Sequence, residues 1–221
     1  MGWLGETKTT FRMWLFLDAR IYQRRHNIII PSGNGTTQID HLLVSSSGIF
    51  IIETKNLKGW IFGAHSQSHW TQVIFGNKYK FQNPIRQTFR QRKVLAEYLG
   101  IGEDMIHTVI YFAGRCRFKT LMPSNVINGG LTSYIKSYYG QILAPEIIHE
   151  VLDKIDKLRS YPGLTTKEHV KSLRERYRST TICPKCGSQL VERTAKKGYG
   201  VDSAFLGCAS YPRCRFTKNI E

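Results

Sequence analysis

The stretch from Gln38 to Lys55, Gln-Ile-Asp-His-Leu-Leu-Val-Ser-Ser-Ser-Gly-Ile-Phe-Ile-Ile-Glu-Thr-Lys, restricts the possible folds more than any other part of the chain. Two runs of β-branched and aliphatic residues flank Ser45 to Gly48, the pattern of a β-hairpin with its turn at the serines. An even loop centred between Ser46 and Ser47 sets Val44 opposite Ile49, Leu42 opposite Ile51, Asp40 opposite Glu53 and Gln38 opposite Lys55, all on one face. The other face carries Ile39, Leu43, Phe50 and Ile52, so both faces are mostly apolar and the strands are expected to be covered on both sides. An odd loop would send Asp40 and Glu53 to opposite faces.

In the even register, two carboxylates and an ammonium gather at the open end of the hairpin. Facing carboxylates repel and resist desolvation unless a cation or a shared proton holds them. Mg²⁺, or Mn²⁺ in its place, suits Asp40 and Glu53: it is a hard cation that takes one or two carboxylates and leaves its other positions to water and phosphate. Lys55 is then placed to orient or deprotonate an attacking water and to offset charge developing on phosphorus oxygens. The alternative is an internal salt bridge that caps a buried hairpin.

Asp40 followed by Glu53-Thr54-Lys55 on the next strand resembles the Asp and Glu-x-Lys of the PD-(D/E)XK nuclease superfamily. Gly5-Glu6, Gln38-Ile39-Asp40-His41, Gly48 to Asn56, Gly59 and Asn83-Pro84 with Gln87 together resemble the nuclease-related domain, NERD, over about residues 1–150. Ile39 stands where the superfamily's name has Pro. The resemblance implies an α/β fold with a restriction-endonuclease-like mixed sheet flanked by helices, and a metal-dependent nuclease. It further implies that Glu6, on a first helix, completes the metal site and that Gln87 lies beside it. Glu6 read from the residues alone is equally a first-turn carboxylate favoured by the helix dipole.

Charge points to a polyanionic partner: 32 Lys and Arg against 16 Asp and Glu leave a formal net charge of +16. Nucleic acid is the commonest such partner, with an anionic membrane surface as the alternative. No apolar run approaches the roughly 20 residues that span a bilayer, and the N-terminus lacks the basic-then-apolar pattern of a secretion signal. The expected location is the cytoplasm.

In chain order, Leu4 to Gln23 has helical spacing, and Ile28 to Ile30 reads as a short strand closed by Pro31-Ser32-Gly33. Gly59 to Gly63, His69 to Phe75 and Lys78 to Phe81 read as strands, with a tight turn at Gly76-Asn77. His65 and His69 would share a metal only on a helix, and this segment looks extended. Pro84 starts a basic helix that runs to Leu99 and stops at Gly100. Met105 to Phe112 is a core strand, and the lone Cys116 beyond it reads as a small buried hydrophobe. Helices are expected at Leu131 to Tyr139, Pro145 to Leu158 and Thr165 to Tyr177, the last strongly basic and expected to be an exposed arm. The expected domains are 1–160, nuclease-like; 161–180, a basic helical linker; and 181–221, a zinc ribbon.

That ribbon is read from Cys183-Pro184-Lys185-Cys186-Gly187 and, after a 21-residue interval, Cys208 to Cys214. Two such knuckles supply four thiolates for a tetrahedral, structural Zn²⁺; two disulfides are the alternative, disfavoured by the odd total of five cysteines. The wording Cys-Pro-x-Cys-Gly, Leu190-Val191-x-Arg193, Phe205-x-Gly207-Cys208 and Tyr211-Pro212-x-Cys214 resembles the C-terminal zinc ribbon of type IA DNA topoisomerases, where such modules bind single-stranded DNA. Arg193, Lys196, Lys197, Arg213 and Arg215 can follow phosphates, and Tyr199, Phe205, Tyr211 and Phe216 are candidates for base stacking. The expected function is metal-dependent hydrolysis of DNA phosphodiester bonds by a protein with a DNA-binding ribbon; RNA stays open as a substrate. The alternative is a non-catalytic nucleic-acid-binding or recruitment protein that uses the nuclease-like fold as a platform.

Overall fold

The computed structural model describes residues 17–33, 35–195 and 202–220. Two units divide the chain: the larger runs to Pro162 apart from Pro31–Thr36, and those six residues belong with Gly163 onward. In chain order the elements are strands β1 (Gln23–Ser32), β2 (Gly35–Ser45), β3 (Gly48–Lys55), β4 (Gly59–Phe62), β5 (His69–Ile74) and β6 (Asn77–Gln82), helix α1 (Pro84–Leu99), strands β7 (Ile106–Phe112), β8 (Cys116–Phe118) and β9 (Val126–Ile127), and helices α2 (Leu131–Lys136) and α3 (Pro145–Arg159). Helix α4 (Thr166–Arg178) and strands β10 (Leu190–Thr194), β11 (Ala204–Cys208) and β12 (Thr217–Asn219) follow. The result is an α/β protein with mixed sheets flanked by helices and a C-terminal four-cysteine cluster.

Ser45 pairs with Gly48 across a two-residue loop, and the ladder runs through Val44↔Ile49 and Leu42↔Ile51 to His41↔Ile52. These are the pairs of the even loop. Strand β7 then lies parallel to β3, from Ile49↔Ile106 to Lys55↔Phe112, which completes a five-stranded sheet in the order β1-β2-β3-β7-β9. Because alternate residues of a strand face opposite ways, β7 serves two cores. Val109 and Tyr111 join Leu43, Phe50, Ile52, Leu131 and Ile135, whereas Ile110 and Phe112 join Ile61, Trp70 and Val126. The Trp70 and Phe112 rings lie nearly parallel, with centroids 6.3 Å apart. A second sheet, β6-β5-β4-β8, covers this latter core.

Helix α1 has the bounds expected from its ends. Asn83 Oδ1 accepts from the Ile85 N–H at 2.9 Å, Pro84 opens the first turn, and Gly100 at φ 73° closes the last with its N–H on Ala96 O. Asn83 Nδ2 also donates to the carbonyls of Ala64, His65 and Gln67, so the cap anchors the loop before β5 as well.

Several expectations are corrected. The helix anticipated to Gln23 lies outside the described residues up to Phe16; from Leu17 the chain turns over Asp18, whose carboxylate takes the Arg20 N–H and guanidinium in place of a helical ladder. The strand around Ile28–Ile30 extends over ten residues. The β5–β6 turn falls on Phe75-Gly76, both at positive φ as a type I′ turn requires, one residue earlier than expected. Helix α4 is not an exposed arm throughout: His169 and Arg176 are buried, Thr36 donates its N–H to Ser172 Oγ at 2.9 Å, and the Arg176 guanidinium donates to Thr36 O.

His41 on β2 is 2 % exposed, and its Nδ1 lies 2.8 Å from Nδ1 of His26 on β1. Burial, and secondarily the neighbouring His26, push the His41 pKa down to about 3; burial lowers His26 too. In the unfolded chain these imidazoles titrate near 6.5, so below that pH the unfolded state binds more protons. Stability is therefore whole above about 6.5 and falls as pH drops, by at most about 1.4 kcal/mol per pH unit for each histidine. Thermal unfolding followed between pH 6.5 and 4 should show this slope reduced in His41→Leu; an unchanged slope would show that the pair is not its source.

Candidate functional site

Glu53 is the most deeply buried carboxylate among the described residues, at 2 % exposure. Its Oε1 accepts from Lys55 Nζ at 2.5 Å, and its Oε2 accepts from Gln87 Nε2 at 2.8 Å and Gln91 Nε2 at 3.0 Å. Lys55 Nζ also donates to Gln87 Oε1 at 3.1 Å. Glu53 and Lys55 meet because they lie two apart on β3, and Gln87 and Gln91 because they lie four apart on α1, one turn along the same helix face. Asp40 reaches the same place from β2, with Oδ2 accepting from the Thr54 N–H at 3.2 Å, between Glu53 and Lys55 in the chain.

The structure thus brings together Asp40, Glu53, Lys55 and Gln87. Glu6 lies outside the described residues. Gln91, which the sequence reading passed over, enters as a fifth member; its spacing from Gln87 was the available signal. Its amide orientation follows from its partners, since Glu53 Oε2 and Gln38 O are both acceptors, and Gln91 Oε1 is left as a buried oxygen without a donor. The carboxylates of Asp40 and Glu53 and the unsatisfied amide oxygen of Gln91 are oxygen donors, the chemistry that a hard divalent cation takes. The ammonium of Lys55 has three donors, of which two are engaged, and its side chain is 23 % exposed and reachable by solvent. His65 and His69 are both exposed, and His69 Nδ1 contacts Ser68 Oγ at 3.1 Å. Cys116 packs with Ile61 and Phe112, and burial pushes its thiol up to about 11.

The C-terminal unit builds a different centre. Strands β10, β11 and β12 form an antiparallel sheet with Leu190 opposite Cys208. Sγ atoms of Cys183, Cys186, Cys208 and Cys214 all lie within 4.8 Å of one another, with Cys183 and Cys214 3.7 Å apart and Cys186 and Cys208 3.3 Å apart. Four sulfurs at about 2.3 Å around a tetrahedral zinc stand about 3.8 Å from each other, whereas a disulfide would need about 2.05 Å. The four thiols fit structural zinc. The contact between Cys183 and Cys186 lowers the Cys186 pKa and raises that of Cys183, and burial raises Cys214. Phe216, a stacking candidate by sequence, packs with Leu190 and Leu206 in the small core around the sulfurs. Tyr211 is 59 % exposed, the Arg193 guanidinium stands 5.7 Å from its ring centroid, and Arg213 and Arg215 are exposed. Lys196, Lys197 and Tyr199 lie outside the described residues.

Two stretches of the chain are similar to known families. The family model described as nuclease-related domain (NERD) matches residues 1–113, and that described as topoisomerase DNA binding C4 zinc finger matches residues 180–221. An uncharacterized protein of Bacillus anthracis is 30 % identical over 183 residues, covering 79 % of this chain and 86 % of that protein. DNA topoisomerase 1 of Methanocaldococcus jannaschii is 50 % identical over 40 residues, which are 18 % of this chain and 5 % of the topoisomerase. That of Archaeoglobus fulgidus is 33 % identical over 81 residues, or 35 % and 11 % of the two chains. No solved structure matches.

The small core of the C-terminal sheet makes its fold dependent on metal. Purified protein should carry one zinc per chain by elemental analysis, and Cys208→Ser should lose it. A strong chelator should collapse the amide resonances of β10–β12 while those of β2, β3 and β7 stay in place; a zinc-free protein with β10–β12 intact would refute the metal's structural role.

Proposed function

The chain belongs to the nuclease-related domain family and carries a topoisomerase-type DNA-binding zinc ribbon, and from this we propose that it is a metal-dependent nuclease that hydrolyses DNA phosphodiester bonds. The observation that carries the reading is the convergence of Asp40, Glu53, Lys55 and Gln87 at one end of the β2–β3 hairpin. Asp40 and Glu53 would hold Mg²⁺ or Mn²⁺, with Glu6 as a further proposed ligand. When bound, such an ion polarises phosphoryl oxygens and lowers the pKa of water. Lys55, held by Glu53 and Gln87, points its remaining donor at water or at a phosphoryl oxygen, where a fixed charge lowers the barrier most. Gln87 keeps the ammonium and the carboxylate in register, and Gln91 locks Glu53 to the backbone of β2.

In this reading residues 1–160 carry the chemistry, 161–180 lead onward, and 181–221 bind DNA, single strands preferred, through Arg193, Lys196, Lys197, Tyr211, Arg213 and Arg215. The proposed setting is the cytoplasm, where thiols stay reduced for zinc. Among the described residues no helix is long and apolar enough to cross a membrane.

One observation favours a second reading. Both oxygens of Glu53 already have hydrogen-bond donors, as in a self-satisfied salt bridge within a non-catalytic nucleic-acid-binding platform. The two readings part on substitution. For a nuclease, Asp40→Ala, Glu53→Gln and Lys55→Ala each lower cleavage of DNA with Mg²⁺ or Mn²⁺ by roughly a hundredfold or more, with the domain still folded and DNA affinity largely kept, although Lys55→Ala, which strands the buried Glu53 charge, lowers the melting temperature. Activity that survives metal chelation or Asp40→Ala refutes the metal mechanism; no activity in the wild type, with Glu53→Gln unfolding the domain, establishes the platform.

A further inference from the structure

From Thr54 to Ala96 and again from Met105 to Pro145 the chain contains no Asp or Glu, while it holds Lys55, Lys58, Lys78, Lys80, Arg86, Arg90, Arg92 and Lys93 in the first segment and Arg115, Arg117, Lys119 and Lys136 in the second. The four strands of the second sheet lie wholly inside these segments. Its pairing sorts their side chains. Trp60 is opposite Val73 on β5 and Arg117 on β8, and Val73 is opposite Lys78 on β6. One row across the sheet is therefore Lys78, Val73, Trp60, Arg117, all on one face. Two residues along, Phe62 is opposite Thr71 and Thr71 opposite Lys80, with Lys119 at the end of β8. The reverse face carries Ile61, Trp70 and Cys116 into the core.

The outward face is open. Lys78, Lys80, Arg117 and Lys119 are exposed, Trp60 is 49 % exposed, and Lys119 Nζ stands 4.5 Å from the Trp60 ring centroid. No salt bridge among the described residues engages any of the four cations. A solvent-facing tryptophan bracketed by unneutralised cations, on a sheet without one carboxylate, matches a polyanion that also carries flat apolar rings. Fixed cations take phosphates, and an indole face takes an unpaired base.

We propose that this face of the β6-β5-β4-β8 sheet binds single-stranded nucleic acid, with a base stacked on Trp60 and phosphates along Lys78, Lys80, Arg117 and Lys119. The sheet continues the paired strands of the candidate site. Ala113 N–H donates to Lys55 O at 3.0 Å and Gly59 N–H to Arg115 O at 3.1 Å, so the parallel pair β3·β7 resumes as β4·β8 just past Lys55. Trp60 is five residues beyond Lys55, at most about 17 Å along an extended chain. This face thus adjoins the candidate site along the chain, and its binding of a strand does not rest on the nuclease reading.

The test uses full-length, zinc-loaded protein bearing Asp40→Ala, so that no substrate is cut, with a labelled oligothymidylate and a blunt duplex as probes. Trp60→Ala should weaken single-strand binding about tenfold, Trp60→Phe should restore most of it, and oligothymidylate should quench the indole fluorescence of Trp60. Glutamine at Lys78, Lys80, Arg117 and Lys119 together should flatten the slope of log affinity against log salt by roughly 3, at about 0.7 per phosphate on single strands. Unchanged single-strand affinity in Trp60→Ala and in the four-glutamine variant overturns the proposal, as does an equal loss of duplex binding in Trp60→Ala. A parent protein that cleaves nothing yet shows the expected pattern leaves this surface standing and removes the nuclease reading; cleavage with the pattern absent does the reverse.

Discussion

Burying the Glu53 carboxylate is the constraint around which the larger unit is arranged. An ion taken from water at 2 % exposure loses several kcal/mol of solvation unless partners replace it. Lys55, Gln87 and Gln91 are those partners, and each comes from an element whose position the bond then determines. Gln91 also binds Gln38 O at 2.9 Å, so β2, β3 and α1 are fastened at one point. Moving α1 by a turn would strand a buried charge, so these bonds set the register of a helix that also buries Val94, Leu95 and Leu99.

The hydrophobic pattern of the strands supplies the rest. Leu42, Leu43, Val44, Phe50, Ile51 and Ile52 are all fully buried, so β2 and β3 are covered on both faces, and a one-residue slip would exchange the side chains packed on the two faces and pull Asp40 away from the Thr54 amide. Register and site geometry are the same fact. The C-terminal unit solves the opposite problem: its core is too small to hold a sheet, and four sulfurs converge where apolar side chains would otherwise be needed.

What was legible in the sequence depended on whether the signal was local. Helix α1 could be bounded to the residue because Asn83-Pro84 and Gly100 act within a turn of their own positions. The hairpin and its turn followed from two apolar runs around the serines, but with both faces apolar the choice between an even and an odd loop waited on the pairing of β2 with β3, while the four cysteines followed from their knuckle spacing. Gln91 was missed because a glutamine on a basic helix looks solvated until the strand beneath it is known. The turn at Phe75-Gly76 was displaced because an aromatic at φ 48° is chosen by the pairing of the flanking strands rather than by its own preference. The buried face of α4 was hidden for a related reason: His169, Ser172 and Arg176 are polar, and their partner Thr36 lies far back in the chain. Phe216 could not be assigned to core or surface until β11 and β12 were paired.

That distance has a consequence for how the chain is made. Thr36 and Ser172 are 136 residues apart, so during synthesis Thr36 is complete before the serine that takes its N–H has been added. At about 5–20 residues per second the delay is roughly 7–27 s, during which the Thr36 N–H waits for its acceptor on Ser172. The C-terminal unit is discontinuous in sequence, and the ribosome delivers its first piece long before the rest. A stop codon directly after Pro162 would therefore release a protein that retains one fragment of a unit whose remainder it never receives.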